Sequence, residues 1–294
     1  MTAEAKTPPR LETPSGKNAK SENFPVGSWL LPAPLRPHVA AFYAFARAGD
    51  DIADNPALAP EDKIARLTAF GDALAEGSGD PRLFAKAHAL RESLAETGVP
   101  ARHGLDLLEA FKQDAVKSRY RNWGELVAYC NLSAAPVGRY LLDLHGESRD
   151  GWPASDALCN ALQVLNHLQD CQEDHREMDR VYLPLDWLEA QAGGVDDLRR
   201  PKANGAIRSV LDMCLGETED LLAVASELPA RLKSRHLAME SSVILHLARR
   251  LDRLLRRGDP LAGRVKLSKA DFAVCGVKGV VHGWLAAGSK AGKP

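Results

Sequence analysis

Two clusters of acidic side chains in this chain have the spacing of helical faces. In segment 38–54, HVAAFYAFARAGDDIAD, Asp50 and Asp54 lie four residues apart and share a face if the segment is helical. Arg47 falls on that face three residues earlier, and Asp51 points about 100° away. In segment 161–174, ALQVLNHLQDCQED, the residues Gln163, Asn166, Asp170, Glu173 and Asp174 form one polar stripe, while Leu162, Val164, Leu165 and Leu168 lie mostly away from it. Carboxylates one turn apart repel each other, and no lysine is interspersed to relieve them. A hard divalent cation would, because Mg²⁺ prefers carboxylate oxygen and leaves coordination sites for phosphate oxygen. The competing readings are a solvated helix end for the first cluster and an exposed helix face for the second.

Taken together, the two stripes predict a pair of helices facing a cavity with metal ions between them. The ligand that suits such a site is a diphosphate, its charge bridged by Mg²⁺ and held by Arg and Lys. So held, diphosphate becomes a good leaving group, with the metal acting as Lewis acid on the departing oxygens. The carbocation left behind needs an apolar, water-poor pocket.

The elements that must position these groups are helices. Segments 61–76 and 206–227 place Ile, Leu and Phe at three- and four-residue intervals, and turn signals such as NPALAP (55–60), GSGDP (77–81) and HGESRDGWP (145–153) cut the chain into helix-sized pieces. No series of alternating, strand-like runs occurs. The expectation is an all-α fold: one domain of about ten helices around a central cavity over 21–290, preceded by a flexible tail at 1–20 rich in Pro and Lys.

Composition supports a folded domain and excludes several classes. The chain has 294 residues, 45% hydrophobic and 26% charged, with a net charge of −1. A nucleic-acid partner is not expected without a basic excess. The five cysteines, at 130, 159, 171, 214 and 275, form no CxxC pair and read as free thiols. No apolar run is long enough to span a bilayer. The nearest, from Phe272 to Ala287, is interrupted by Lys278 and His282. The expected location is cytoplasmic, with room for peripheral contact at the inner face of the membrane.

With these motifs the chain resembles the squalene/phytoene synthase family of head-to-head prenyl synthases, from about Asn23 to Ser268. The carrying motifs are FYAFARAGDDIAD (42–54), YCNLSAAPVG (129–138), NHLQDCQEDHREMDRVYLP (166–184) and LDRLLRRGDPLAGRVKLS (251–268). The resemblance implies an isoprenoid-synthase bundle. It implies metal binding by Asp50, Asp54, Asn166, Asp170 and Asp174, and diphosphate contacts from Arg47 and Arg264. It places Gln163 and Tyr129 at the reaction centre, Arg180 and Tyr182 as the R-x-Y pair behind the second motif, and Ala134, Val137 and Gly138 in a small-residue segment beside the prenyl chain.

The chain also departs from the family pattern. Gln169 stands where many members have Arg, Leu247 where many have Tyr, and Glu22 where Lys is frequent. Fewer cations around the site suit one diphosphate better than two. The segment 21–56 resembles one branch, the bacterial hydroxysqualene synthases of hopanoid pathways. That branch implies presqualene diphosphate and water as substrates, Mg²⁺ as cofactor, no NADPH, and a partner enzyme supplying presqualene diphosphate. The readings weighed against it are a condensing enzyme making presqualene diphosphate or phytoene, and a non-catalytic scaffold.

Other residues have plainer expected roles. Cys130 and Cys171 are read as packing. His167 and His175 are read as surface or supporting positions, not metal ligands, and the five tryptophans as core more than carbocation-facing. The run 249–257, RRLDRLLRR, reads as a solvated basic face that could also meet anionic lipid. The stretch 272–287 reads either as a cap on the cavity or as a membrane-touching surface.

Overall fold

The computed structural model describes residues 30–288 of the chain. The expected tail at 1–20, Glu22, Trp29 and the last residues of the expected domain lie outside the described residues. Among those described there is no strand, only an isolated bridge between Arg119 and Val181.

Helix α1 (Arg36–Ala53) carries Pro37 in its first turn, where the missing N–H costs nothing. It turns Val39, Phe42, Phe45, Ala48 and Ile52 into the core. Helices α2 (Pro60–Glu76), α3 (Ala85–Thr97) and α4 (Arg102–Asp114) pack on it. Phe45 stacks on Phe70 of α2 with ring centroids 4.6 Å apart.

A second group follows: α5 (Trp123–Ser133), α6 (Ala135–Leu144) and α7 (Trp152–Met178). The Asn122 side chain caps α5 by accepting the Glu125 N–H. At 27 residues α7 is about 40 Å long. It packs against α5, α6, α9 (Gly205–Ala225) and α11 (Arg235–Arg257), which makes it the central element of the bundle. Two short helices, α8 (Leu185–Ala190) and α10 (Leu228–Arg231), join the larger ones, and α12 (Lys269–Gly288) lies along α11.

Two local features aim the functional segments. Phe42 of α1 stacks on Tyr140 of α6 at 4.0 Å, and the Tyr140 hydroxyl donates to the His38 carbonyl at 2.9 Å. This fixes α1 against α6. Helix α7 ends at Asp179, whose φ of 51° is the left-handed conformation that Asp tolerates better than most residues. Arg119 holds the Asp179 carboxylate at 2.6 Å, and the Val181 N–H donates to the Ser118 carbonyl at 2.9 Å. The chain thus folds back along 118–121 and buries both Arg180 and Tyr182.

Candidate active site

A cavity of about 480 Å³ lies between these groups. Asp50 and Asp54 reach it from the end of α1, and Asn166, Asp170 and Asp174 from α7. Arg47, Gln163, Tyr129, Arg180, Tyr182 and Val137 line the same space. The two acidic faces are therefore walls of one cavity, neither a solvated helix end nor an exposed face. Glu173 departs from the stripe. It faces a neighbouring hollow with Arg176 and Arg264.

Arginines already compensate three of the cavity carboxylates, Asp50, Asp54 and Asp170, and also the adjacent Asp51. The Arg47 guanidinium forks, donating to Asp50 Oδ2 at 2.6 Å and to Asp51 Oδ1 at 3.1 Å. Arg180 donates to Asp54 Oδ1 at 2.7 Å, which ties the end of α1 to the loop after α7. Arg264 meets Asp170 at 3.2 Å from the rim, where its side chain is half exposed. It does not line the main cavity. Gln169, buried in α7, donates from Nε2 to the Val265 carbonyl at 2.5 Å. The position where many members of the resembled family carry Arg thus anchors, through Gln169, the loop that carries Arg264.

The rest of the lining is apolar and aromatic. Phe42, Tyr43 and Phe111 contribute from α1 and α4. Tyr182 stacks on His167 with centroids 3.5 Å apart, and Tyr129 lies 5.7 Å from Tyr182. Burial, assisted by the Arg180 charge, pushes His167 down to about 3, so the imidazole is neutral. It is a buried wall residue here, not a surface one, and His175 is buried as well. None of the tryptophans among the described residues lines this cavity. Trp123 and Trp187 stack on each other, Trp152 lies under Arg139 and Arg149, and Trp284 is exposed. The π-faces available to a cation belong to Tyr and Phe.

Asp114, at the end of α4, was missed by the sequence reading. The Tyr129 hydroxyl donates to its Oδ2 at 2.8 Å, and its Oδ1 is buried without a hydrogen-bond partner among the described residues. Burial pushes this carboxyl up to about 7, against the opposing pull of Arg180. No local signal marks Asp114, because its partner arrives from another helix. Tyr43 could have been found: it stands four residues before Arg47 and seven before Asp50, on the same face of α1.

Two members of the expected small-residue segment do not reach the cavity. Ser133, Val137 and Leu141 line it, while Ala134 and Gly138 do not. Gly138 faces α7 instead. A Cβ there would lie 2.7 Å from Cys159 Sγ and closer still to Ser155 Oγ, so its smallness serves helix–helix approach.

The donor chemistry suits Mg²⁺. The groups are carboxylate and amide oxygens, with Asp174 pushed up to about 7 by burial and by the neighbouring Asp170 charge. No three acidic, His or Cys side chains converge tightly enough among the described residues to hold an ion alone, so phosphate oxygens or water would complete the coordination. Because folding raises the Asp174 pKa from 3.8, ionising this carboxyl in the metal-free protein costs stability progressively between about pH 4 and pH 7, and fully above that. Asp174→Asn is therefore expected to raise the melting temperature of the metal-free protein at pH 8, by several degrees at about 4–8 °C per kcal/mol for a small domain and less for one of this size. The gain shrinks as the pH falls to 5. If Asp174 is a metal ligand, added Mg²⁺ stabilises the unmodified chain more at pH 8 than at pH 6, and the variant less than the unmodified chain at pH 8. Thermal melts across this pH range, with and without Mg²⁺, read both effects.

The chain matches the model of the squalene/phytoene synthase family over residues 17–271. It is 44% identical over 264 residues to a hydroxysqualene synthase of Rhodopseudomonas palustris, covering 90% of this chain and 89% of that one. It is 43% identical to a hydroxysqualene synthase of Zymomonas mobilis, covering 87% and 86% of the two chains. Among solved structures, squalene synthase HpnC from Alicyclobacillus acidocaldarius superposes with a TM-score of 0.70 at 31% identity, covering 79% of this chain and 87% of that one.

Proposed function

Since the chain belongs to the squalene/phytoene synthase family, we propose that it is an enzyme converting presqualene diphosphate and water to hydroxysqualene and diphosphate. The observation that carries this reading is a single cavity with acidic side chains from two helices at one part and Phe, Tyr and aliphatic groups over the rest. A polar head and a long apolar tail are what such a lining recognises.

In this reading Asp50, Asp54, Asn166, Asp170 and Asp174 hold Mg²⁺ together with the diphosphate. The metal supplies Lewis-acid stabilisation of the departing phosphate oxygens. Arg47, Arg180 and Arg264, now paired with Asp50, Asp54 and Asp170, exchange part of those contacts for phosphate oxygen as the charge of the head group enters. The aromatic wall of Tyr129, Tyr182 and neutral His167 presents π-density to the cyclopropylcarbinyl cation and its rearranged successor, and adds no positive charge of its own. Tyr129 points its proton at Asp114, which leaves phenolic oxygen density facing the cavity, where a water can be oriented for capture. Gln169 occupied by the Val265 carbonyl supports a site for one diphosphate rather than two. Retention of the acidic and arginine groups around one cavity disfavours a purely scaffolding role.

Mass spectrometry of two reactions tests the proposal. Purified protein with presqualene diphosphate and Mg²⁺, without NADPH, should yield hydroxysqualene. The same protein with farnesyl diphosphate alone should yield nothing. Presqualene diphosphate in the second reaction would make the chain a condensing synthase, and silence in both would favour the scaffold.

A further inference from the structure

Helix α12 is packed inside out. Its inner stripe is small: Cβ atoms added at Gly279 and Gly283 would run into the backbone of α11 at Val243 and at Ala238 and Met239, so the two helices approach through their main chains. Its outer stripe is large and apolar. Val274, Val277, Val281, Trp284 and Leu285 follow three- and four-residue spacing on one arc of about 100°, by the helical period. All five are exposed, Val277 by 69% and Trp284 by 53%. A helix serving only the core would bury the valines, tryptophan and leucine and expose the glycines. A contiguous apolar stripe of this kind marks an interaction surface.

The charges beside this stripe point to its occupant. Along one edge of the stripe, His246, Arg249 and Arg253 of α11 border a groove with Lys278 of α12. Neither Arg253 nor Lys278 has a carboxylate within ion-pair distance among the described residues. The one acid of α12, Asp271, is engaged by Arg250 at 2.6 Å and by the Ser268 hydroxyl at 2.7 Å. On α11, Glu240 is buried and lines the cavity, and Asp252 is buried and paired with Arg256. This face therefore offers cations with no acids to receive them from a second copy, and self-association would bring like charges together. Lipid phosphates supply the missing anions. Trp284, with the Arg235 guanidinium 5.8 Å from its ring, combines an apolar body and a cationic neighbour as interfacial residues do. No helix among the described residues is long and apolar enough to cross a membrane. The helix would lie in the plane of the surface.

We propose that the outer face of α12, with the basic edge of α11, docks the protein onto an anionic lipid surface. The inference stands on the geometry of α11 and α12 and does not depend on the reaction assigned to the cavity. It is tested with the full chain by co-sedimentation with vesicles of phosphatidylcholine containing about one third phosphatidylglycerol, against vesicles of phosphatidylcholine alone. Partitioning to the anionic vesicles and its weakening by high salt are expected. The double variant Val277→Gln, Val281→Gln keeps good helix formers at exposed sites, and its partition coefficient should fall roughly tenfold or more. Lys278→Glu with Arg253→Glu should remove the preference for anionic lipid. Circular dichroism of both variants should match the parent. No sedimentation with either vesicle, or parent-like sedimentation of the valine variant, overturns the proposal. So does a dimer by analytical ultracentrifugation that the valine variant makes monomeric, because a second copy would then cover the face.

Discussion

Asp170→Asn is expected to lower turnover of presqualene diphosphate by ~10³-fold, about 4 kcal/mol of transition-state stabilisation, with helix content unchanged. Asp50→Asn should behave alike. Each substitution removes one anionic oxygen donor while keeping the shape of the side chain, so the loss falls on metal and diphosphate binding. The effect on folding runs the other way at α7. Asp170 is the neighbouring charge that helps to push Asp174 up to about 7, so Asn at 170 relieves repulsion in a buried wall. The substitution also weakens the rim contact with the half-exposed Arg264 at 3.2 Å, and exposed pairs are worth little. A variant that melts no lower than the parent and is inactive separates metal chemistry from structure. Near-parent turnover in both variants would refute the metal assignment. Steady-state kinetics across a Mg²⁺ titration, together with a thermal melt, decide it.

Arg180→Leu should cost both stability and activity. Its guanidinium is almost fully buried and donates to Asp54 Oδ1 at 2.7 Å across 126 residues of sequence. Removal leaves Asp54 short of a partner in a low-dielectric wall and takes away the cation that opposes the upward push on Asp114 and Asp174. Breaking a buried pair from one side costs about 3–5 kcal/mol, and because Asp54 keeps some access to solvent the lower half of that range is expected. The penalty should be larger at pH 8 than at pH 6, since Asp114 takes up a proton near 7 and no longer needs the cation. Adding Asp54→Asn should restore much of the stability and none of the turnover, because both groups also serve the diphosphate site in the proposed reaction. Urea unfolding of the two single variants and the double variant gives the coupling. Turnover of Arg180→Leu within a few-fold of the parent would place Arg180 in the scaffold alone.

The helical faces were legible because their information is local. Positions three and four apart meet on one side of any helix, so Arg47, Asp50 and Asp54, and likewise Gln163, Asn166, Asp170 and Asp174, could be grouped before any tertiary contact was known. The same periodicity carried the all-α class, and the like chemistry of the two stripes suggested that they face one cavity, which the family resemblance also implied. Where local information ended, the reading failed in identifiable ways. Smallness at Gly138 looked like room for a prenyl chain and is room for α7. The polarity of His167 left a surface position open beside a supporting one, whereas Tyr182 covers the ring inside the cavity wall, which rules out the surface. Phe272 to Ala287 could be read as a cavity cap or a membrane surface, and only its packing on α11 shows which face is turned outward.

By itself, then, the sequence determined which side chains share a face, the all-helical class, and a chemistry of acidic and amide oxygen suited to a hard cation. The tertiary structure alone decided that Arg180 closes on Asp54, that Gln169 is consumed by the Val265 carbonyl, and that Asp114 meets Tyr129. It also decided which carboxyls are held near neutrality, at Asp114 and Asp174. The physical reason is range. Helical spacing is set by bonds within a few residues, whereas burial, desolvation and the partner of a charge depend on groups brought together only when the chain has folded.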